Sequence, residues 1–225
     1  MALRIETFDN ASGGNTLYKA LTHPHAAAAG RALVADLARR PPTAIVDPAG
    51  AAEGFAEIFP LAGVAIAGCY VQDVRRIASP VCGRAARPVT DLADSGARSV
   101  LVAGFDAERL IGQLRPYLPA AAHIVSLDAM RIPEARLGNR RTYLDPLNFA
   151  TNFALFRDTA TLHTRLSTAN YWAGHGAAGA TLWLTLFDDG GAVIAEWCEP
   201  CGAEARAIVI DSREVRARFG LGDFA

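Results

Sequence analysis

The sequence predicts an α/β domain followed by an all-β domain: a small Rossmann-like parallel-sheet domain and then an antiparallel β-sandwich. Two observations lead to this prediction. Short apolar strands alternate with helix-like stretches in the first part of the chain, and only short alternating strands follow Leu144-Asp145-Pro146. The first pattern favours parallel strands joined by right-handed crossovers, and the second favours antiparallel pairing. With 225 residues the chain can hold two domains, which we place at 1–140 and 141–225.

The elements of the first domain follow from apolar periodicity and from helix-breaking residues. An alanine-rich helix covers Ala26 to Arg40 and ends at Pro41-Pro42, because proline cannot continue a helix. Residues 131–143 are interpreted as the linker to the second domain. The same reasoning predicts strands at 43–47, 63–69, 99–104 and 123–127, and helices at 50–59, 91–95 and 106–117.

The second domain is predicted to contain strands alone. The turn Asp188-Asp189-Gly190-Gly191 is a strong signal for a β-hairpin. Strands are expected at 149–157, 161–168, 181–187, 192–197 and 205–210. Since no helix separates them, we expect them to pair antiparallel as a sandwich. Its predicted core places Leu182, Leu184 and Leu186 opposite Phe153, Leu155 and Val193.

Composition restricts the class of protein. The formal net charge of −1 gives no reason to expect a polyanionic partner, so we expect no nucleic-acid binding. No apolar run approaches the roughly 20 residues of a membrane span, and the N-terminus has no signal-peptide core, so a cytoplasmic location without membrane contact is expected. Four cysteines are too few for a disulfide framework, and we expect free thiols and no metal site. The end of the chain at Phe224-Ala225 lacks a polar tail, as in a piece of a longer protein.

The best candidate for a binding site is the turn after the first predicted strand, which begins at Asp47 and contains Gly50. Ligands of open α/β sheets bind at the carboxyl ends of the strands, and a helix N-terminus offers unpaired N–H groups to an anion. Asp73 follows at the distance expected of a ribose-binding acid. Gly104 and Asp106, after the strand at 99–104, complete the predicted site for a small phosphate-bearing ligand.

The residues of this turn match a dinucleotide fingerprint only in part. A G-x-G-x-x-G motif would have its glycines where the chain has Pro48, Gly50 and Glu53. Pro48 is incompatible with the usual tight turn, and Glu53 would bring a carboxylate close to a pyrophosphate. Binding of NAD(P) or FAD, binding of another small ligand, and a purely structural turn therefore remain alternatives.

Residues 43–127 resemble the small Rossmann-like domains of sugar-nucleotide enzymes. In those domains a glycine turn follows the first strand, and a Pro-Val step leads into a short helix before the next strand. The corresponding residues here are Gly50, the segment Arg87-Pro88-Val89 with Leu92, and the strand segment 100–103. The resemblance covers about a third of the chain and implies a nucleotide or nucleotide-sugar ligand. It assigns neither a reaction nor a cofactor.

Two further features of the sequence suggest a chemical role, one in phosphate binding and one in thiol redox chemistry. Lys19 is the only lysine of the chain and follows the glycine-containing stretch Ser12 to Thr16, so it is a candidate for phosphate contact. The string Trp197-Cys198-Glu199-Pro200-Cys201 looks like a thioredoxin W-C-x-P-C site, which needs its first cysteine at a helix N-terminus. Since the residues that follow have the pattern of a strand, we interpret this segment as a turn between two strands. Thiol redox chemistry through Cys198 and Cys201 is therefore the third of the functions considered.

A loop of the second domain is a candidate contact surface. It contains Tyr171, Trp172 and His175 among glycines, and exposed aromatic side chains commonly contact partners. We predict that it contacts a partner or a second copy of the chain, which would give a homo-oligomer through the sandwich, with Trp172 packing on its own core as the alternative. The sequence thus favours a small-ligand-binding or assembly protein, with an enzyme acting on a nucleotide-sugar or using a nucleotide cofactor as the alternative.

Overall fold

A computed structural model of the chain describes residues 14–149, 153–170, 173–174 and 179–224. The chain divides into two compact units, Met1–Thr151 and Asn152–Ala225. The predicted loop residues Tyr171, Trp172 and His175 lie outside the described residues. No helix within the described ranges is long and apolar enough to cross a membrane.

The first unit contains a five-stranded sheet in which every pair of neighbouring strands is parallel. The predicted α/β class is therefore confirmed for this unit, and strands occur in all four predicted places. A short antiparallel pair, β3 and β4, lies between the second and third strands of this sheet along the chain. The strands are β1 (Thr43–Val46), β2 (Ile66–Val71), β3 (Pro80–Val81), β4 (Arg84–Ala85), β5 (Arg87–Pro88), β6 (Ser99–Val102) and β7 (His123–Ser126).

The order of strands in this sheet is β5-β2-β1-β6-β7. The chain moves outward from β1 to β2 and β5, and then returns to the other side of β1 to add β6 and β7. The direction of winding therefore reverses between β1 and β6, which are paired in register from Thr43 opposite Ser99 to Val46 opposite Val102. The carboxyl ends of these two strands lie next to each other at one edge of the sheet.

Apolar side chains of alternating strand residues cover the two faces of the sheet. Leu101 packs on one face with the helices α1 to α3, and Val100 and Val102 pack on the other with α4. The α-helices are α1 (Gly14–Leu21), α2 (Pro24–Arg39), α3 (Ala51–Ile58) and α4 (Glu108–Leu114). Short 3-10 helices cover Val74–Arg76, Val89–Asp91, Ala93–Ser95, Arg115–Tyr117, Leu127–Met130, Glu134–Arg136 and Pro146–Phe149. The helix predicted at 91–95 is thus formed by two short 3-10 turns.

Residues 131–143 do not behave as the linker that the sequence predicted. Ile132, Leu137 and Tyr143 are buried in the core of the first unit, together with Phe149 beyond them. The hydroxyl of Tyr143 accepts a hydrogen bond from the backbone N–H of Ile132 at 3.0 Å. The segment lacks regular periodicity because it covers the core as an irregular chain, so a periodicity argument could not recognise it as part of the core.

The second unit consists of two antiparallel pairs of strands and a helix. The strands are β8 (Arg165–Ala169), β9 (Ala180–Phe187), β10 (Val193–Gly202) and β11 (Ala207–Asp211). β9 pairs with β10 and β8 pairs with β11, in two separate sheets. The hairpin turn predicted at Asp188 to Gly191 joins β9 to β10, and its Asp188 N–H donates to the carbonyl of Ala192 at 2.9 Å. A helix that the sequence analysis missed, α5 (Ser212–Phe219), follows β11.

The predicted sandwich is therefore not confirmed, and its predicted core is wrong on one side. Phe153 and Leu155 are 70% and 79% exposed, and the described part of the strand predicted at 149–157, residues 153–157, is not a strand. The buried cluster instead centres on Trp197, and Val215 of α5 packs within it. Asp211 caps α5, because its carboxylate accepts the N–H of Arg213 at 3.0 Å. This cap marks the boundary between β11 and the helix.

The burial of Tyr143 leads to a testable prediction. A Tyr143→Phe variant should lose about 1–3 kcal/mol of unfolding free energy, because the buried N–H of Ile132 would have no acceptor. The matched control is Tyr117→Phe, since Tyr117 is 38% exposed and should tolerate the change. Urea denaturation of both variants measures the difference. Equal stability of the two variants would contradict a structural role for residues 131–143.

Candidate functional site

Aspartates follow four of the parallel strands at the carboxyl edge of the sheet. Because the strands are parallel, their carboxyl ends lie at the same edge. Three arginines on the segments that follow pair with these carboxylates, as described below. We call this set of residues the carboxyl-edge site. It contains Asp47 after β1, Asp73 after β2, Asp106 after β6 and Asp128 after β7, with Arg75, Arg76 and Arg131.

The side chain of Asp47 is completely buried and organises the turn between β1 and α3. Its Oδ1 accepts the N–H of Gly50 at 2.8 Å and that of Ala52 at 3.4 Å. Its Oδ2 pairs with Nη2 of Arg76 at 2.6 Å, and Nη1 of Arg76 donates to the Asp47 carbonyl at 2.9 Å. Gly50 stands at the N-cap of α3 with φ 89°, a left-handed conformation that favours glycine.

This arrangement changes the character of the predicted anion pocket. Two N–H groups at the start of α3 already bind a carboxylate of the chain itself. The guanidinium of Arg76 lies close by, since a Cβ built on Gly50 would be 4.0 Å from its Nη2 atom, and the Arg76 side chain is 28% exposed. An incoming anion would therefore meet a guanidinium rather than a row of free N–H groups.

Asp73 lies at the end of β2, where the sequence placed a ribose-binding acid. It accepts the N–H of Arg75 at 3.0 Å and caps the short 3-10 helix that follows. The Arg75 guanidinium pairs with the Asp73 carboxylate at 2.7 Å. Hydrogen bonds from the side chain and the backbone of Arg75 lower the pKa of Asp73 to about 2, so it is ionised at neutral pH.

Asp106 and Asp128 form a second group at the ends of β6 and β7. The carboxylate of Asp128 accepts the N–H of Asp106 at 2.8 Å and that of Ala107 at 2.9 Å. Arg131 pairs with Asp106 at 2.6 Å and with Asp128 at 3.3 Å. Asp106 has φ 53° and accepts the N–H of Tyr143 at 2.8 Å, which connects this group to the buried segment after β7.

The two turns at the reversal between β1 and β6 lie in contact. A Cβ built on Gly104 would be 3.5 Å from Cγ of Pro48, so this glycine allows the close approach of the two turns. The structure thus places Asp47, Gly50 and Gly104 together, as the sequence predicted, with Asp73 and Asp106 on neighbouring strand ends. Lys19 lies on α1, and among the described residues no hydrogen bond or ion pair links it to the carboxyl-edge site.

The sequence analysis missed Asp128 and all three arginines. Asp128 could have been found, because it follows a predicted strand end as closely as Asp73 does. The pairs Arg76–Asp47 and Arg131–Asp106 could not, since their partners lie 29 and 25 residues apart along the chain. Arg75 and Arg131 lie two and three residues after Asp73 and Asp128, and these local pairs could have been considered. A cavity of about 590 Å³ lies beside α4 and next to Asp128; it is lined by Glu108, Arg109, Ile111, Gly112, Arg115, Ser126 and Asp128.

The cysteines are not arranged as a redox pair requires. Cys198 and Cys201 both lie within β10, with Cys198 exposed and Cys201 buried, and no helix begins at either residue. The turn that the sequence placed at this string is part of a strand. In the first unit, burial raises the pKa of Cys69 to about 11 and that of Cys82 to about 12. All four cysteines are free thiols.

Comparison of the chain with protein-family models, curated proteins and solved structures finds no significant match to any of them. Within the described residues, no group of three or more histidine, cysteine, aspartate or glutamate side chains is placed to hold a metal ion. The chemistry of the carboxyl-edge site therefore has to be argued from its own geometry.

The ion pair between Asp47 and Arg76 predicts that two neighbouring arginines contribute very differently to the stability of the fold. An Arg76→Ala variant should lose about 3–5 kcal/mol of unfolding free energy, because the buried carboxylate of Asp47 would lose its ion-pair partner. The matched control is Arg75→Ala, whose guanidinium is 87% exposed and should contribute little to stability. Urea denaturation would contradict the interpretation if the two variants were equally stable.

The cysteine arrangement predicts the absence of disulfide reductase activity. The reduced protein should not accelerate insulin precipitation, because neither Cys198 nor Cys201 stands at a helix N-terminus that would stabilise a thiolate. A Cys198→Ser variant serves as the control. Activity in the wild type that this variant lacks would show the interpretation to be wrong.

Proposed function

We propose that the first unit is a Rossmann-like binding module that takes a nucleotide or nucleotide-sugar at the carboxyl-edge site. The observation that carries this proposal is the reversal of strand order between β1 and β6. In open α/β sheets, ligands bind in the crevice beyond the carboxyl ends of the strands at such a reversal. The turns that follow these two strands contain Gly50 and Gly104.

The charged pairs of the site suit a ligand with both hydroxyl and phosphate groups. Asp73 stands after β2, the position from which an acid in this kind of sheet binds ribose hydroxyls, and its side chain is 29% exposed. Arg75 beside it is largely exposed and can offer N–H donors to a phosphate. Because Asp47 already occupies the N–H groups at the start of α3, Arg76 is the group that would contact a pyrophosphate.

The resemblance to sugar-nucleotide enzymes supports the same ligand class. Gly50 lies in the turn after β1, and Val89 begins a short 3-10 helix directly after Pro88 at the end of β5. β6 then follows, in the order that the resemblance implies. The proposal concerns binding, and it assigns no reaction to the chain.

A thermal-shift series tests the proposal. UDP-glucose, UDP, NAD⁺ and inorganic phosphate are added separately to the full chain, and we expect UDP-glucose or UDP to raise the melting temperature. A ligand that binds only the folded chain adds about 2.7 kcal/mol at one hundred times its Kd, a shift of several degrees for a protein of this size. Absence of any shift with all four compounds would contradict the proposal.

A pair of variants locates the binding site. Ala49→Glu adds a carboxylate to the exposed turn between Asp47 and Gly50 and should abolish the ligand shift by repulsion of phosphate. Ala62→Glu makes the same change at an exposed position before β2, at the opposite edge of the sheet, and should retain it. Gly50→Val is unsuitable, because φ 89° at Gly50 would strain the fold itself. If Ala49→Glu and Ala62→Glu both lost the ligand shift, or both retained it, the proposed location of the binding site would be wrong.

A further inference from the structure

The second unit contains two strands that follow each other in the chain without pairing. β10 is hydrogen-bonded to β9 and β11 to β8, and within the described residues no ladder joins β10 to β11. A groove of about 370 Å³ lies between them, lined by all of β11, part of β10 and one side of α5. Two neighbouring strands of a hairpin would normally pair, so this gap requires a physical explanation.

Backbone groups of β11 point into the groove. At the two ends of the β8–β11 pair, the N–H of Asn170 donates to the carbonyl of Arg206, and the N–H of Ser212 donates to that of Thr164, each at 2.9 Å. In an antiparallel pair, the backbone N–H and C=O groups of successive residues point alternately towards the partner strand and away from it. The even-numbered residues of β11 therefore point their backbone groups towards β8. The backbone groups of Ala207 and Val209 therefore face away from β8, and they form no backbone hydrogen bond with another described residue.

Two features prevent β10 from pairing with this edge. Pro200 in β10 has no N–H to donate, and its carbonyl accepts the guanidinium of Arg206 at 3.3 Å. The buried side chain of Asn170 donates from its amide nitrogen to the carbonyls of Cys201, Gly202 and Glu204, at 3.3, 3.0 and 3.0 Å. These bonds hold the β10–β11 connection open, and the groove is therefore a built feature of this unit.

The groove suits an extended segment of polypeptide. Its walls are strand edges, which form hydrogen bonds with an added strand, as in β-strand addition. Trp197, Ile210 and Val215, which line the groove, also belong to the buried cluster of this unit. Among its charged residues, Glu199 is paired with Arg218 and Asp211 with Arg165. A strand with alternating apolar side chains would add to the free side of β11 and extend the β8–β11 pair to three strands.

One segment of this chain has that character. Residues 153–157 are irregular, and within the described residues no backbone hydrogen bond involves Phe153 to Phe156. Phe153 and Leu155 are strongly exposed, and Arg157 is exposed beside them. Phe156 points the other way and stacks on Phe224, with ring centroids 6.1 Å apart. Residues 153–156 therefore present backbone groups that have no hydrogen bond among the described residues, together with the apolar side chains of Phe153 and Leu155. Arg157 follows them, and its N–H donates to Oγ1 of Thr164 at 2.9 Å.

We propose that the groove between β10 and β11 binds residues 153–157 of a second copy of this chain. The added strand would satisfy the free backbone groups of Ala207 and Val209. It would also remove the side chains of Phe153 and Leu155 from water, which is the main driving force of such an association. Arg157 would supply a cation to Glu214, a groove residue that has no ion pair among the described residues.

Light scattering of the full chain tests the proposal. We expect a concentration-dependent mass of twice 23.8 kDa for the wild type. A Phe153→Asp/Leu155→Asp variant should be monomeric, because both side chains are exposed in the single chain and buried only in the dimer. Leu162→Asp, at another exposed position of the same unit, is the matched control and should still dimerise. A mass of 23.8 kDa for the wild type at every concentration would overturn the proposal.

A second pair of variants tests the groove itself. Val209→Pro removes a groove-facing N–H without removing a hydrogen bond to β8 and should weaken dimerisation about tenfold or more. Val209→Thr is its control and should retain dimerisation. A peptide of residues 152–158 should compete with the dimer and change the tryptophan fluorescence of the chain, whereas the same peptide with serine at positions 153 and 155 should not. Full dimerisation of Val209→Pro, or no effect of the native peptide, would refute the assignment of the groove.

Discussion

Carboxylates that bind backbone N–H groups at the ends of parallel strands fix the arrangement of the first unit. Asp47 does this for the turn into α3, and Asp128 does it for the turn into α4. N–H groups at a helix start have no partner within the helix, so such a start needs an acceptor from elsewhere. Because Asp128 reaches across from the neighbouring strand end, this contact also sets the relation between β6 and β7.

The arginines follow from these carboxylates. A buried aspartate is tolerated only when another group neutralises it, and Arg76 supplies this charge to Asp47 from the segment after β2. Arg131 forms ion pairs with Asp106, which is exposed, and with Asp128, which is half-buried. The carboxyl edge of the sheet therefore has a definite geometry before any ligand arrives, which is the condition for tight and selective binding. Its donors are guanidinium groups, and this distinguishes it from sites that hold phosphate by backbone N–H groups alone.

The second unit shows the opposite situation, in which backbone groups of the strands are left without partners. Asn170 and Pro200 keep β10 and β11 apart, and the buried cluster around Trp197 is closed on one face by α5. Unpaired edges promote association between chains, and proteins usually protect them. Here the side of β11 that faces away from β8 has no partner strand among the described residues and borders a groove, a combination that favours an added strand.

The sequence by itself determined the elements that depend on local periodicity and on special residues. The four strands predicted for the first unit, the end of α2 at Pro41-Pro42 and the hairpin turn from Asp188 to Gly191 are all present. The turn that contains Gly50 was also located correctly at the end of β1. These features could be predicted because neighbouring residues alone decide them.

Only the tertiary structure decided which distant groups meet. The burial of Tyr143 in a segment that looked like a linker, the pairing of Arg76 with Asp47, and the exposure of Phe153 and Leu155 all depend on contacts between residues far apart in the chain. The helix α5 was missed because its few apolar residues give it a weak periodicity, and its packing on Trp197 stabilises it. Long-range contacts of this kind have no local pattern from which a sequence could reveal them.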